Sequence, residues 1–274
     1  MLTVSELFIY PVKSLGGISM QAAELTDRGF KYDRRWMLVD EKNRFLSQRE
    51  LPAMALLQTA LTVDGIQVTD RRKPRNSIVI PYDAKKRPVV QVQVWDDTCD
   101  AILMDEELDK WFTEALQVNC SLVYMPDESL RKVDESYAMD NEVTSFSDGY
   151  PVLMIGQSSL NELNSRLEEE LPMNRFRPNI VFTGGLPYEE DEMEMFRIGA
   201  IAFYGVKLCS RCVVTTIEQT NAVKGKEPLK TLSAYRQQNN KIYFGQNVLY
   251  KGYGTIQLGD NITVIQKKQG LNSE

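Results

Sequence analysis

Residues 55–70, ALLQTALTVDGIQVTD, place two alternating apolar-polar runs on either side of Asp64-Gly65, a dipeptide that favours the tight turn of a β-hairpin. Working outward, strand character returns in LTVSELFIYPV (2–12) and in RRWMLVDEKNRFLSQ (34–48), which turns over Glu41 to Asn43. It returns again in SIVIPY (77–82) and VVQVQVWDDTCDAILM (89–104). Short strands at this spacing predict a β-barrel-like first half. In DEELDKWFTEAL (105–116) the period changes: Leu108, Trp111, Phe112 and Leu116 fall on one helical face, so this helix is expected to plug or close the sheet.

After SLVYM (121–125) the stretch from Pro126 to Asp148 is polar and reads as a long connection, which divides the chain into residues 1–125 and 126–274. PVLMIG (151–156) reads as a buried strand, and Ser159 with Glu162 as a capping box for a helix carrying Leu160, Leu163 and Leu167. NIVFTGG (179–185), RIGAIAFYGVKL (197–208), CVVTTIEQ (212–219), KIYFGQNVLY (241–250) and GTIQLGDNITVIQ (254–266) return to strands. The expected class is mostly β with some α (α+β), an N-terminal β-barrel-like domain followed by a second β-barrel-like domain with a few helices.

The chain has 274 residues and a net charge of -6, which argues against general nucleic-acid affinity, since that requires a surplus of cations to neutralise phosphates. No apolar run reaches the roughly 18 residues needed to span a bilayer, and no signal peptide precedes the first strand, so a cytoplasmic protein without membrane attachment is expected. Histidine is absent. That removes Ser-His-Asp and Cys-His hydrolysis, the two-histidine zinc helix and the two-histidine, one-carboxylate iron site together. Chemistry must come from Cys, carboxylate, Lys, Tyr or a bound cofactor.

Cys209-Ser210-Arg211-Cys212 is the clearest reactive feature. A zinc knuckle lacks further ligands nearby, and a thioredoxin-like pair would open a helix where VVTT favours a strand. Two readings stay open: one exposed thiolate ligand at a strand-loop-strand turn, with Arg211 lowering its pKa, or two buried cysteines acting as small hydrophobes. Basic residues beside turn-formers form a second feature: Lys13-Ser14 before Gly16-Gly17, Arg34-Arg35 before Trp36, and Arg175 with Arg177 before Pro178-Asn179. Lys, the Arg fork, a hydroxyl and turn amides suit phosphate, provided the three groups converge. Asp148-Gly149 either faces a cleft or makes an Asx-turn before Pro151. Arg71-Arg72-Lys73-Pro74-Arg75 and Glu189-Glu190-Asp191-Glu192 both read as solvated surface loops.

Taken in order, LFIYPVKSLGG (7–17) and DRGFKYDRRWMLVDEKNRFLSQRE (27–50) resemble the N-terminal β-barrel domain that accompanies MOSC domains. SDGYPVLMIGQSSLNELNSRL (147–167), NRFRPNIVFTGG (174–185), CSRCVVTTIEQ (209–219) and GKEPLKTLSAYRQ (225–237) resemble the MOSC domain itself. The chain is similar to the mitochondrial amidoxime-reducing components and bacterial reductases of N-hydroxylated compounds. The resemblance implies a molybdenum cofactor (Mo-molybdopterin) with Cys212 as its metal ligand. It implies that Lys13, Ser14, Arg34 and Arg177 hold the pterin and its phosphate, and that Asp148 acts near the metal. Gly149, Asn179 and Thr216 would line the pocket, and Cys209 has no assigned ligand role. It further implies reduction of a small N-hydroxylated substrate by oxygen-atom transfer, with electrons from a separate protein that is cytochrome b5-like, a ferredoxin or a flavoprotein. The alternative is a carrier holding molybdenum cofactor or persulfide sulfur on cysteine for delivery. Pyridoxal phosphate is expected only as a family-level association.

Overall fold

The computed structural model describes residues 1–83 and 87–271. Seven strands of its nine-stranded larger sheet form a ring: β1 (Leu2–Ile9), β2 (Val152–Gly156), β3 (Ile180–Thr183), β4 (Met193–Ile198), β5 (Ile201–Ser210), β6 (Lys241–Lys251) and β7 (Asn261–Lys267). Their pairing runs β2-β3-β1-β7-β4-β5-β6 and returns from β6 to β2, which closes a barrel. Closure leaves these seven strands without an open edge. A barrel of this size is filled by side chains rather than by solvent. Val4, Leu7, Ile9, Met154, Ile180, Phe182, Phe196, Phe203 and Val248 pack into one cluster, with the Phe196 and Phe203 rings stacked at 5.4 Å.

β2 and β3 are parallel, which requires a crossover. The crossover carries helix α2 (Gln157–Asn164), whose Leu160 and Leu163 are buried. The expected capping box does not form. The helix begins one turn earlier, at Gly156, so Ser159 sits inside it, donating to Glu190 and accepting from the Tyr188 N–H. Glu162 instead accepts from the hydroxyls of Tyr188 and Tyr235.

The first half forms a half-barrel. A four-stranded sheet joins Trp36–Val39, Ser121–Tyr124, Asp97–Leu103 and Val89–Val94, and a three-stranded sheet joins Leu57–Leu61, Gly65–Asp70 and Ser77–Pro81. The Asp64-Gly65 hairpin forms as expected, with Leu61 opposite Ile66. Helix α1 (Glu106–Leu116) is capped by the Asp105 carboxylate and buries Leu108, Phe112 and Leu116 in the core of this half. Sequence halves and sheets do not coincide, because β1 hydrogen-bonds to β3 and β7, both from the other end of the chain.

Buried charge that is paired overturns one loop expectation, at 189–192, and pins the long connection at 126–148, which is irregular apart from the short strands Arg131–Lys132 and Val143–Thr144. The stretch 126–148 is held by the Arg28 guanidinium, which donates to the carbonyls of Pro126, Asp127 and Ser129, and by Arg131, which donates to those of Ser145 and Ser147. Residues 189–192 form helix α3 (Glu189–Glu192), with Glu190 and Asp191 buried and Asp191 paired to Arg236. Arg72 in the basic run pairs with Asp70 and caps the Ala115 carbonyl, while Arg71, Lys73 and Arg75 stay exposed as expected.

Candidate functional site

Where the half-barrel meets the rim of the barrel lies a cleft of about 310 Å³. Five separate stretches build most of its wall: Lys13-Ser14, Arg34, Asp148-Gly149 and the segments 175–179 and 207–215. Seven of the lining side chains are basic, namely Lys13, Arg34, Arg49, Arg175, Arg177, Lys207 and Arg211, and one, Asp148, is acidic.

Main-chain pairing explains why the first two stretches meet. The Arg34 N–H donates to the Tyr10 carbonyl, and the Trp36 N–H to that of Pro11. The Lys13 N–H returns a bond to the Trp36 carbonyl. Asp33, fully enclosed, accepts from the Tyr10 N–H at 2.7 Å and from Arg34. Burial pushes its carboxyl up, and Arg34 opposes that. The barrel is joined to this corner through Asn179, whose Oδ1 accepts from Arg34 at 3.0 Å and from the Leu153 N–H, while its amide donates to the Phe8 carbonyl. Asn179 is therefore a strut as well as a wall residue.

Tyr10 carries the cationic wall. The guanidiniums of Arg34 and Arg177 lie 4.4 and 4.3 Å from the centre of its ring. Burial pushes its phenol up to about 12, so it stays neutral, and its hydroxyl donates to the Pro178 carbonyl. A side chain at Gly17 would sit 2.4 Å from the ring, so glycine is required there for close approach. Burial lowers Arg177 to about 10, yet its guanidinium has no hydrogen-bond acceptor among the described residues. Ser14, Arg34 and Arg177 all hold left-handed backbone, with φ of 69, 49 and 57°. Such conformations cost on the order of 1–3 kcal/mol each and cluster at functional sites.

Lys13 is buried and donates to the Phe146 carbonyl at 2.7 Å and to Asp148 Oδ1 at 2.6 Å. Burial lowers it to about 8, against the pull of Asp148. Asp148 stands at the open mouth with its side chain 75% exposed. The surrounding protein acts to raise its pKa, but the charge and hydrogen bond of Lys13 and the indole N–H of Trp95 hold it below the usual carboxylate range.

β5 ends in two bulged steps at the rim, and the chain then turns through Cys209 to Cys212. Cys212 is exposed and Cys209 half-buried, which rules out the reading of this pair as buried hydrophobes. That description fits Cys99 and Cys120 instead, both buried and pushed up to about 11 by desolvation. The expected role of Arg211 is corrected: its guanidinium lies 2.8 Å from the Cys209 sulfur and also donates to the Phe176 carbonyl, leaving Cys212 to the cleft.

The strand expected after Cys212 is a 3-10 turn, Val213–Thr216. This moves Thr216 off the cleft wall, with its hydroxyl on the Val213 carbonyl, and puts Val214 and Thr215 there. Arg175 is a brace for this turn, donating to the carbonyls of Thr215 and Glu227 and pairing with Glu218. Arg35, adjacent to Arg34, leaves the site altogether and pairs with Asp127.

Several residues went unnoticed in the sequence. Gln48 donates to the Ser14 carbonyl at 2.6 Å and exchanges amide bonds with Gln219, which ties the Lys13-Ser14 loop to the cysteine turn. Arg49 and Trp95 complete the mouth. No sequence signal marks Gln48, Gln219 or Tyr10; Trp95-Asp96, a hairpin tip between two alternating strands, is the only hint for Trp95.

The sequence matches the family description "MOSC N-terminal beta barrel domain" over residues 1–119 and "MOSC domain" over residues 141–263. It is 30% identical to Mitochondrial amidoxime-reducing component 1 of Mus musculus, over 96% of this chain and 82% of that protein. The Homo sapiens protein of the same name gives 30% over 96% and 83%. Molybdenum cofactor sulfurase of Oryza sativa subsp. japonica is also 30% identical, over 95% of this chain, which spans about a third (34%) of that longer protein.

Proposed function

Because the chain belongs to the family that joins a MOSC N-terminal beta barrel domain to a MOSC domain, we propose that its cleft binds a molybdenum cofactor and that it reduces N-hydroxylated compounds. The observation that carries this reading is the meeting, in one cleft, of an exposed thiol at Cys212 with the cations Lys13, Arg34 and Arg177. These residues fit such a group. A thiol is a soft ligand, the Arg177 donors lack an acceptor among the described residues, and the space around Gly149 is open, with nothing within 4 Å of a Cβ built there. Cys212 would ligate molybdenum, while Lys13, Ser14, Arg34 and Arg177 would hold the pterin and its phosphate. Asn179 and Gly149 would stand beside them.

When bound, the cofactor supplies the two-electron chemistry that takes oxygen from the substrate. The protein's own contribution is orientation and charge. Arg34 and Arg177, fixed on Tyr10, present planar forks that match phosphate oxygens. Asp148 remains ionised and so accepts hydrogen bonds. Lys13 holds its proton at neutral pH with its Nζ on Asp148, and burial brings its pKa down to about 8, so it can release that proton in mildly basic solution. The net reduction consumes two electrons and two protons and releases water, with the electrons supplied by a separate cytochrome b5-like, ferredoxin or flavoprotein donor.

The test is anaerobic purification, metal analysis and benzamidoxime turnover with an artificial donor. Cys212→Ser is expected to lose molybdenum while its melting temperature stays close to that of the parent. Loaded protein that does not turn over would defeat the reductase reading. The exposure of Cys212 also suits a carrier of cofactor or persulfide sulfur, for which intact mass of freshly isolated protein would show added sulfur.

A further inference from the structure

The hairpin tip between Val89–Val94 and Asp97–Leu103 reaches the mouth of the cleft from the half-barrel, although neither strand contributes to the cationic wall. Trp95 at this tip is held in left-handed backbone, φ 59°, and is 38% exposed. Its indole N–H donates to Asp148 Oδ1 at 3.2 Å. The Arg49 guanidinium lies 3.9 Å from the centre of its ring, and Phe45 packs at 5.1 Å. A large aromatic side chain in a strained turn, with its polar atom on the cleft's one carboxylate, is not explained by packing of the half-barrel core, to which it does not belong.

Asp148 Oδ1 receives two donors, Lys13 and Trp95, whereas no donor among the described residues reaches Oδ2. Two donors on one oxygen fix the rotation of the carboxylate, so the second oxygen is held as a free acceptor. In a cleft otherwise lined by seven cations, this is the one place that favours a positively polarised N–H. We propose that Trp95 is a positioning residue: it orients Asp148 so that Oδ2 accepts from a substrate N–H on the carbon that bears the N–O group, and thereby selects amidine-type substrates over N–O compounds that lack an N–H. This rests on the reductase reading for its chemistry, but the subsite itself belongs to the protein and can be tested without cofactor.

The experiment is a ligand-observed NMR titration of cofactor-free protein with benzamidine, which has the N–H groups but no N–O, and with benzoate, which has neither. Trp95→Phe keeps the ring and removes the donor. It is expected to weaken benzamidine binding roughly three- to tenfold, the worth of one hydrogen bond, and to leave benzoate within about twofold. Asp148→Asn should weaken benzamidine more and benzoate not at all. Unchanged benzamidine binding in Trp95→Phe, or an equal loss for both ligands, would overturn the proposal, the second because it marks a merely structural role. In loaded enzyme Trp95→Phe should also lower kcat/KM for benzamidoxime more than for an aromatic N-oxide. If loaded parent enzyme reduces neither compound, the reductase reading falls while the benzamidine titration still decides the subsite.

Discussion

Arg236 is fully buried and Arg177 half-buried, and both rest on a tyrosine ring, at 4.1 Å from Tyr188 and 4.3 Å from Tyr10. They differ in what meets their N–H groups. Beside α3, Arg236 donates to the Asp191 carboxylate and the Tyr243 carbonyl. At the cleft, Arg177 has an aromatic face and no acceptor among the described residues. A buried cation with its donors matched stabilises the fold; a half-buried one at an open cleft, with its donors unmatched by protein acceptors among the described residues, suits an anion that arrives later. The same contrast separates Cys99 and Cys120 from Cys212.

The comparison is broken or sharpened by substitution on each side. The largest expected effect is at Arg236: replacement by Ala leaves Asp191 as an unpaired buried charge and should cost about 3–5 kcal/mol in urea unfolding. Arg177→Ala should show less than half that loss, and a cleft arginine that proved the more destabilising of the two would end the distinction.

Glu190 lies beside Asp191, and its Oε1 has no partner. Burial, with the Asp191 charge second, pushes it up to about 7. The folded carboxyl binds its proton more tightly than the unfolded one, so this contribution to stability is full below pH 4.5 and is lost as pH rises through about 7. Glu190→Gln should flatten that slope, by roughly 2–3 kcal/mol, between unfolding curves at pH 4.5 and 8. A slope left intact would place the titration elsewhere.

A smaller effect is expected for Gln48→Ala, which strands the Gln219 amide and should cost about 1–2 kcal/mol in unfolding. Because Gln48 also holds the Ser14 carbonyl, phosphate binding to the cleft should weaken in the same variant. The smallest effect concerns Lys13. Its proton leaves as pH rises through about 8, so phosphate affinity of cofactor-free protein should fall a few-fold between pH 7 and 9, and Lys13→Met should remove that dependence.

Much of the architecture was legible because it is written locally. Alternation at period two marked the hairpin at Asp64-Gly65, and the 3.6-residue period marked α1. The strand assignments failed at Val213–Thr216, where β-branched residues follow a cysteine turn braced by Arg175. Propensity there was overridden by distant side chains. The acidic run at α3 was misread for a related reason: four successive carboxylates look solvated until Arg236 and Ser159 come from far along the chain to meet two of them.

By itself the sequence determined that histidine chemistry is absent, that the chain is rich in strands, and that basic groups stand beside turns at 13–14, 34–35 and 175–177. Tertiary structure decided which of them share a cleft. It sent Arg34 and Arg177 to the Tyr10 ring, Arg35 to Asp127, Arg175 under the cysteine turn and Arg211 to Cys209 rather than Cys212. The physical reason is that strand and helix periods are set by neighbours within a few residues. The direction in which a charged side chain is satisfied depends on acceptors brought close only when the barrel shuts.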